Sequence, residues 1–258
     1  MSEESPPIDI DHDGHYRQLF HDPRMVSDLL QGFIDPALLP KPHFHTLERI
    51  PDAHIAEQLS GHFKRRHQGS LWRLLVDFDG HTEAVYIHLL LEFQSRSDRL
   101  MAQRISTYAN LAVQTLIKAG YLKPGDPIPL MLPVVLYNGE APWSAPLKLS
   151  ELQANVPLVL RRYQPQMEYI VIDQRRIANL PEGNLVSILC RGERFQSPLD
   201  FVRLIQHLYA LVDEQTPTLF QSFNGWIGAL LPRHIPGAKI GKIQGKQQGQ
   251  TMINHAYE

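Results

Sequence analysis

Residues 69–94 read GSLWRLLVDFDGHTEAVYIHLLLEFQ. Two apolar runs, Leu71 to Phe78 and Val85 to Phe93, flank a short polar connection carrying Asp79-Gly80. β-Branched, aromatic and leucine residues dominate both runs, and Asp77 to Thr82 supplies turn chemistry, so the stretch predicts a β-hairpin. The second run begins with partial alternation and becomes continuously apolar at Leu89-Leu90-Leu91. That is the pattern of a central strand covered on both faces. It ends on a carboxylate, Glu92, with an amide two residues later at Gln94. An acidic group at the end of a buried strand is costly unless something neutralises it. Chemistry is therefore sought first at Glu92.

After the hairpin, Ser95, Ser97 and Asp98 offer a helix start. Leu100, Met101, Ile105, Tyr108, Leu111, Ala112, Thr115 and Leu116 then give a long amphipathic helix that stops by Gly120. Leu130 to Tyr137 is a short apolar run closed by Asn138-Gly139, and Met167 to Asp173 is a further strand by the same criteria. Pro198 to Asp213 is helical by its spacing, and Leu219 to Leu231 adds a last helix that Gly225 and Gly228 weaken. Before the hairpin, Tyr16, Leu19 and Phe20 make one helical face that Asp13 is placed to cap. Pro23 opens a second helix holding Met25, Val26, Leu29, Leu30 and Phe33. His43 to Ile50 is read as extended and Asp52 to Phe63 as a short helix. The order of elements predicts an α/β domain with a mixed sheet. Its expected extent is 13–231, between flexible tails at 1–12 and 232–258.

The chain has 258 residues, 43% hydrophobic and 20% charged, with a net charge of −2. That is ordinary globular composition with enough chain for a full core. A protein that binds nucleic acid over a whole face is usually basic, so any such contact here has to be a local patch. The densest basic cluster is Lys64-Arg65-Arg66-His67, directly before the hairpin, which reads either as a solvated charge run or as a phosphate contact. The single Cys190 excludes an intrachain disulfide framework and fits a reducing compartment. The N-terminus has no basic or apolar leader pattern, and no apolar stretch approaches a membrane span. The expected location is the cytoplasm.

In a strand, residues i and i+2 point to the same side. Glu92 and Gln94 then project together, with the Phe93 carbonyl between them. A carboxylate and a backbone carbonyl are hard oxygen ligands suited to Mg²⁺ or Mn²⁺, and an amide can orient water or a phosphate oxygen. Metal-assisted phosphodiester hydrolysis is one chemistry this set allows. An exposed strand end with no ligand is the other reading. The histidines show no metalloprotease spacing, and no glycine-rich phosphate loop is present.

Three motifs in register sharpen the choice. They are HDGHYRQLFHDPRMVSDLLQGFI from His12, LLLEFQSRSDRLMAQRISTY from Leu89, and LPVVLYNGEAPW from Leu132. Together they resemble the Rpn family of recombination-promoting nucleases, also described as YhgA-like transposases, within the PD-(D/E)XK superfamily. The resemblance runs from about Asp11 to Asp173. It implies a mixed central sheet flanked by helices with the active site at the hairpin. It also implies Mg²⁺-dependent cleavage of DNA, with Mn²⁺ as an alternative ion, by an Asp at the hairpin's start and Glu-x-Gln at its end. Glu92 and Gln94 match the second part, and Glu92 with the Phe93 carbonyl is the expected metal set. Arg104 on the following helix is a candidate phosphate contact or a structural ion pair. One departure stands out. The family pattern Gly-Asp-x-x-Trp-Arg meets Gly69-Ser70-Leu71-Trp72-Arg73, which sets Ser70 where the metal-binding Asp is expected. A hydroxyl is a poor ligand for Mg²⁺, so the expectation is weakened or lost cleavage. Two functional expectations follow: a DNA endonuclease linked to recombination or mobile elements, or an inactive relative that binds nucleic acid or protein. DNA is the expected partner and no membrane is involved. Whether the chain forms a homo-oligomer stays open.

Overall fold

The computed structural model describes residues 12–51, 69–93, 97–195, 197–212 and 216–234. The chain divides into two compact units, one formed by Met1–Asp28 with Leu180–Glu258 and one by Leu29–Asn179.

The second unit holds a five-stranded sheet in the order β1-β2-β3-β4-β5. These strands are β1 (Glu48–Ile50), β2 (Gly69–Phe78), β3 (His81–Glu92), β4 (Leu130–Tyr137) and β5 (Ile170–Asp173). β1 and β3 run antiparallel to β2, whereas β4 is parallel to both β3 and β5. The sheet is mixed, as the sequence predicts. The hairpin turns at Asp79 (φ 41°) and Gly80 (φ 93°), two left-handed residues in succession. That geometry matches the twist of the two strands, and Asp-Gly supplies it at low steric cost. From Val85 to Glu92 every residue of β3 is buried, as expected of a strand with both faces covered.

A parallel pair needs a crossover, and the helix α3 (Met101–Lys118) provides it between β3 and β4. Its apolar face, including Met101, Ile105, Tyr108 and Ala112, packs with Leu71, Tyr86, Leu90 and Val135. Fully burying one such aliphatic side chain stabilises by roughly 1.5–3 kcal/mol, which is why the period-3.6 pattern wins a helix here. The helix begins at Met101, three residues later than a cap at Ser97 would give. Asp98 lies ahead of it and accepts from the Leu100 N–H at 2.9 Å.

The first unit is helical. It contains α1 (His12–Leu19), the start of α2 (Pro23–Phe33), α5 (Leu185–Gly192), α6 (Pro198–Leu211) and α7 (Pro217–His234). The single turn α4 (Leu158–Arg161) belongs to the other unit. Asp13 falls inside the first turn of α1 and is not its cap. α5 has no counterpart among the sequence expectations. Its start is capped by Asn184, whose side chain accepts from the Ser187 N–H at 3.0 Å, and Asp28 accepts from the Leu185 N–H at 2.7 Å. α7 runs through Gly225, which the sequence reads as a weakness. A Cβ there would lie 2.7 Å from the His15 ring, so the glycine permits close helix contact. The expected helix at Asp52–Phe63 and both tails lie outside the described residues, apart from His12 and the last turn of α7.

Candidate functional site

Glu92 lies at the carboxyl end of β3, where three parallel strands finish side by side. Glu92 is in register with Tyr137 of β4, and Tyr137 with Asp173 of β5. The row continues past the strand ends, because the Asn138 N–H donates to the Glu92 carbonyl at 3.1 Å and the Gln174 N–H to the Tyr137 carbonyl at 2.9 Å. The carboxyl edge of parallel strands is where open α/β sheets place ligands.

Glu92 is 6% exposed. Its neutralising partner is Arg104 of α3, with Nη1 at 3.6 Å from Oε2, and the same nitrogen lies 2.9 Å from Asp98 Oδ2. The Arg104 side chain is 11% exposed, and its guanidinium carbon sits 5.9 Å from the centre of the Tyr108 ring. Burial alone pushes this guanidinium down. The hydrogen bond to Asp98, the contact with Tyr108 and the charge of Glu92 together outweigh it and hold the group above its ordinary value. Arg104 makes ion pairs with Glu92 and Asp98.

Register decides the place of Ser70. Residues directly opposite in an antiparallel pair share a face. Ser70 is opposite Leu89, so it shares a face with Leu91, whereas Glu92 shares a face with Leu90 and Gly69. The hairpin therefore puts Ser70 and Glu92 on opposite sides of the sheet. The Ser70 hydroxyl accepts from the Trp72 indole N–H at 2.9 Å, two residues along on its own face. The register thus does not bring Ser70 to the Glu92 face; the nearest described β2 position on that face is 69. A side chain there would be a diagonal neighbour of Glu92, roughly 7–8 Å away and somewhat less between Cβ atoms.

Gly69 has no side chain to offer, and its space is taken. A Cβ at 69 would meet His88 Nε2 at 2.9 Å and the Leu89 carbonyl oxygen at 3.2 Å. His88 is 2% exposed and packs edge-on to Tyr108, with ring centroids 5.8 Å apart. The imidazole fills the space a carboxylate at 69 would use.

Two residues of the row escaped the sequence reading. Asp173 is held by Arg176 Nη1 at 3.1 and 3.2 Å and accepts from the Trp143 N–H at 3.3 Å. The Tyr137 hydroxyl donates to the Ala141 carbonyl at 2.8 Å. Burial pushes the Tyr137 phenol up, and the charges of Asp173 and Glu92 add to that. A signal was present: LPVVLY-NG and IVID-QR each end an apolar run on a polar side chain, as LLLE does. Arg175 and Arg176 reach back to this edge, Arg175 donating to the Asn138 carbonyl at 3.3 Å and Arg176 to that of Glu140.

Mg²⁺ demands oxygen ligands in near-octahedral geometry and is usually held by one or two carboxylates. At the end of β3, Glu92 has a cation 3.6 Å away that it shares with Asp98. Asp173 stands two strands over, roughly 10 Å at the backbone, and is engaged by Arg176. Among the described residues no three of His, Cys, Asp and Glu converge on a point. Among the described residues, Arg104 competes with a cation for Glu92. Gln94 and the basic cluster Lys64, Arg65 and Arg66 lie outside the described residues.

The sequence profile of the family described as "Putative transposase, YhgA-like" matches residues 10–219. Among curated proteins of Escherichia coli K12, the chain is 23% identical to the recombination-promoting nuclease RpnC over 209 residues, 81% of this chain and 66% of that one. It is 25% identical to the recombination-promoting nuclease RpnA over 202 residues, 78% of this chain and 65% of the relative. It is 28% identical over 130 residues to RpnE, an inactive recombination-promoting nuclease-like protein, covering 50% of this chain and 39% of the relative. The chain thus spans about two thirds or less of these relatives. No solved structure matches it. Among the described residues no helix is long and apolar enough to cross a membrane.

Proposed function

The chain belongs to the YhgA-like transposase family, and from that premise we propose that it acts on DNA in recombination as a nuclease with an attenuated site. The observation that carries this reading is Glu92, a buried carboxylate at the carboxyl edge of β3. The attenuation rests on position 69, which carries no carboxylate and whose space the His88 imidazole takes. Glu92 is the acidic group that ends β3, and Arg104 offsets part of the field that would draw a cation. Mg²⁺, with Mn²⁺ as an alternative, is the ion this reading assigns to a site with a second carboxylate restored. Gln94 as a water-orienting amide, the Phe93 carbonyl as a ligand, and Lys64, Arg65 and Arg66 as phosphate contacts belong to the same proposal. So does a cytoplasmic location.

The ion pair between Glu92 and Arg104 also favours a second reading, a protein that binds DNA and does not cut it. One experiment separates the two. Nicking of supercoiled plasmid in Mg²⁺ is compared for wild type and Glu92→Ala, beside plasmid binding by both. Slow nicking that disappears in Glu92→Ala supports the attenuated nuclease. Binding with no nicking by wild type supports the second reading. Equal nicking by the two proteins contradicts the assignment of Glu92.

A further inference from the structure

The helical unit contains a cavity of about 450 Å³ between the end of α5 and one face of α6. Its polar lining is Arg191, Arg194, Arg203, His207 and Asp200, over Leu204. Three arginines and one aspartate thus line it. That carboxylate already accepts from the Ser197 hydroxyl at 2.7 Å, in the cap that starts α6. Residues 200, 203, 204 and 207 recur at spacings of three and four, so α6 turns a single face to the cavity. Arg191 and Arg194, three apart at the end of α5, supply the opposite wall. Among the described residues neither Arg191 nor Arg203 has a carboxylate partner. Like charges gathered around one cavity repel, an arrangement that a bound anion relieves. Guanidinium forks match the geometry of phosphate oxygens and bind them in pairs.

We propose that this cavity is a phosphate-oxyanion site, separate in sequence and in fold from Glu92, that takes either a DNA phosphodiester or a free phosphate. Arg191 and Arg203 are the principal ligands, and Asp200 limits the affinity. The proposal does not depend on whether the chain cuts DNA.

The test uses the full-length chain and two probes, inorganic phosphate by titration calorimetry and a duplex oligonucleotide by fluorescence anisotropy over a series of salt concentrations. Wild type is compared with Arg191→Ala/Arg203→Ala, with the exposed single change Arg203→Glu, and with Asp200→Asn. Arg161→Ala/Arg162→Ala is the control, and thermal melting checks that each variant is folded. For a phosphodiester ligand, the double variant loses oligonucleotide affinity about tenfold or more. Its log–log salt slope then falls by about 2, close to one unit per phosphate contact. For a free anion, phosphate binding is lost and the oligonucleotide curve is unchanged. Either result, with tighter binding by Asp200→Asn and no change in the control, supports the site. Unchanged binding of both probes by the double variant and by Arg203→Glu overturns it.

Discussion

Glu92 and Arg104 hold each other in place. Both side chains are close to fully buried, and their charged atoms lie 3.6 Å apart. Breaking a buried pair from one side leaves a desolvated charge, which costs about 3–5 kcal/mol. Arg104→Ala should therefore destabilise the chain by about 3 kcal/mol in urea unfolding, and Asp98→Ala by less, because Asp98 is more exposed. A loss below about 0.5 kcal/mol for Arg104→Ala, the range of an ordinary surface change, would show that Glu92 is neutralised by something else. At this scale the sequence had shown which residue to examine but not which neighbour it faces. Glu92 stands out as a carboxylate ending an apolar run. Its partner on the adjacent strand depends on register, and a shift of one residue exchanges the faces. That single step separates Ser70 from Gly69.

At the scale of elements, the hairpin was legible because its signals are local. Asp79-Gly80 between two apolar runs specifies a turn whose backbone few other pairs adopt. Gly80 has φ 93°, so Gly80→Ala should cost about 1 kcal/mol or more in the same unfolding assay. A neutral outcome would contradict the turn. Beside it, the Thr82 hydroxyl and then His43 hold the Asp77 carboxyl below its ordinary value, at 2.6 and 2.9 Å. A lowered folded value means stability that is present above the unfolded value of about 3.9 and is lost as pH falls through the folded one. Asp77→Asn should lower the melting temperature at pH 7, and the gap to wild type should close as pH falls below 4. A gap independent of pH would remove the charge from the explanation. α3 was legible for the same reason as the hairpin, since its apolar stripe is long and continuous. α5 was not. Eight largely buried residues are too short a run to be told from a strand by pattern, and its start is specified by Asp28, distant in sequence. α7 was doubted at Gly225 because propensity counts the missing side chain as a loss. The packing against His15 makes it a requirement.

For the molecule as a whole, the family match over residues 10–219 draws on both the sheet unit and the helical unit. Conserved architecture does not by itself specify activity, and function has to be argued from the site. Here the site's shortage has an address. Diagonal to Glu92 on the same face, the chain carries Gly69, and His88 packs where a side chain there would project. The direct test is nicking of supercoiled plasmid in Mg²⁺ by wild type, Ser70→Asp, and Gly69→Asp combined with His88→Ala to clear the space. Restoring a carboxylate on the correct face should raise nicking about 10–100-fold, the scale on which metal sites respond to changes in their ligand surroundings. Ser70→Asp should leave it at the wild-type level, and adding Glu92→Ala to the double variant should abolish the gain. A gain from Ser70→Asp, with none from Gly69→Asp/His88→Ala, would contradict the account.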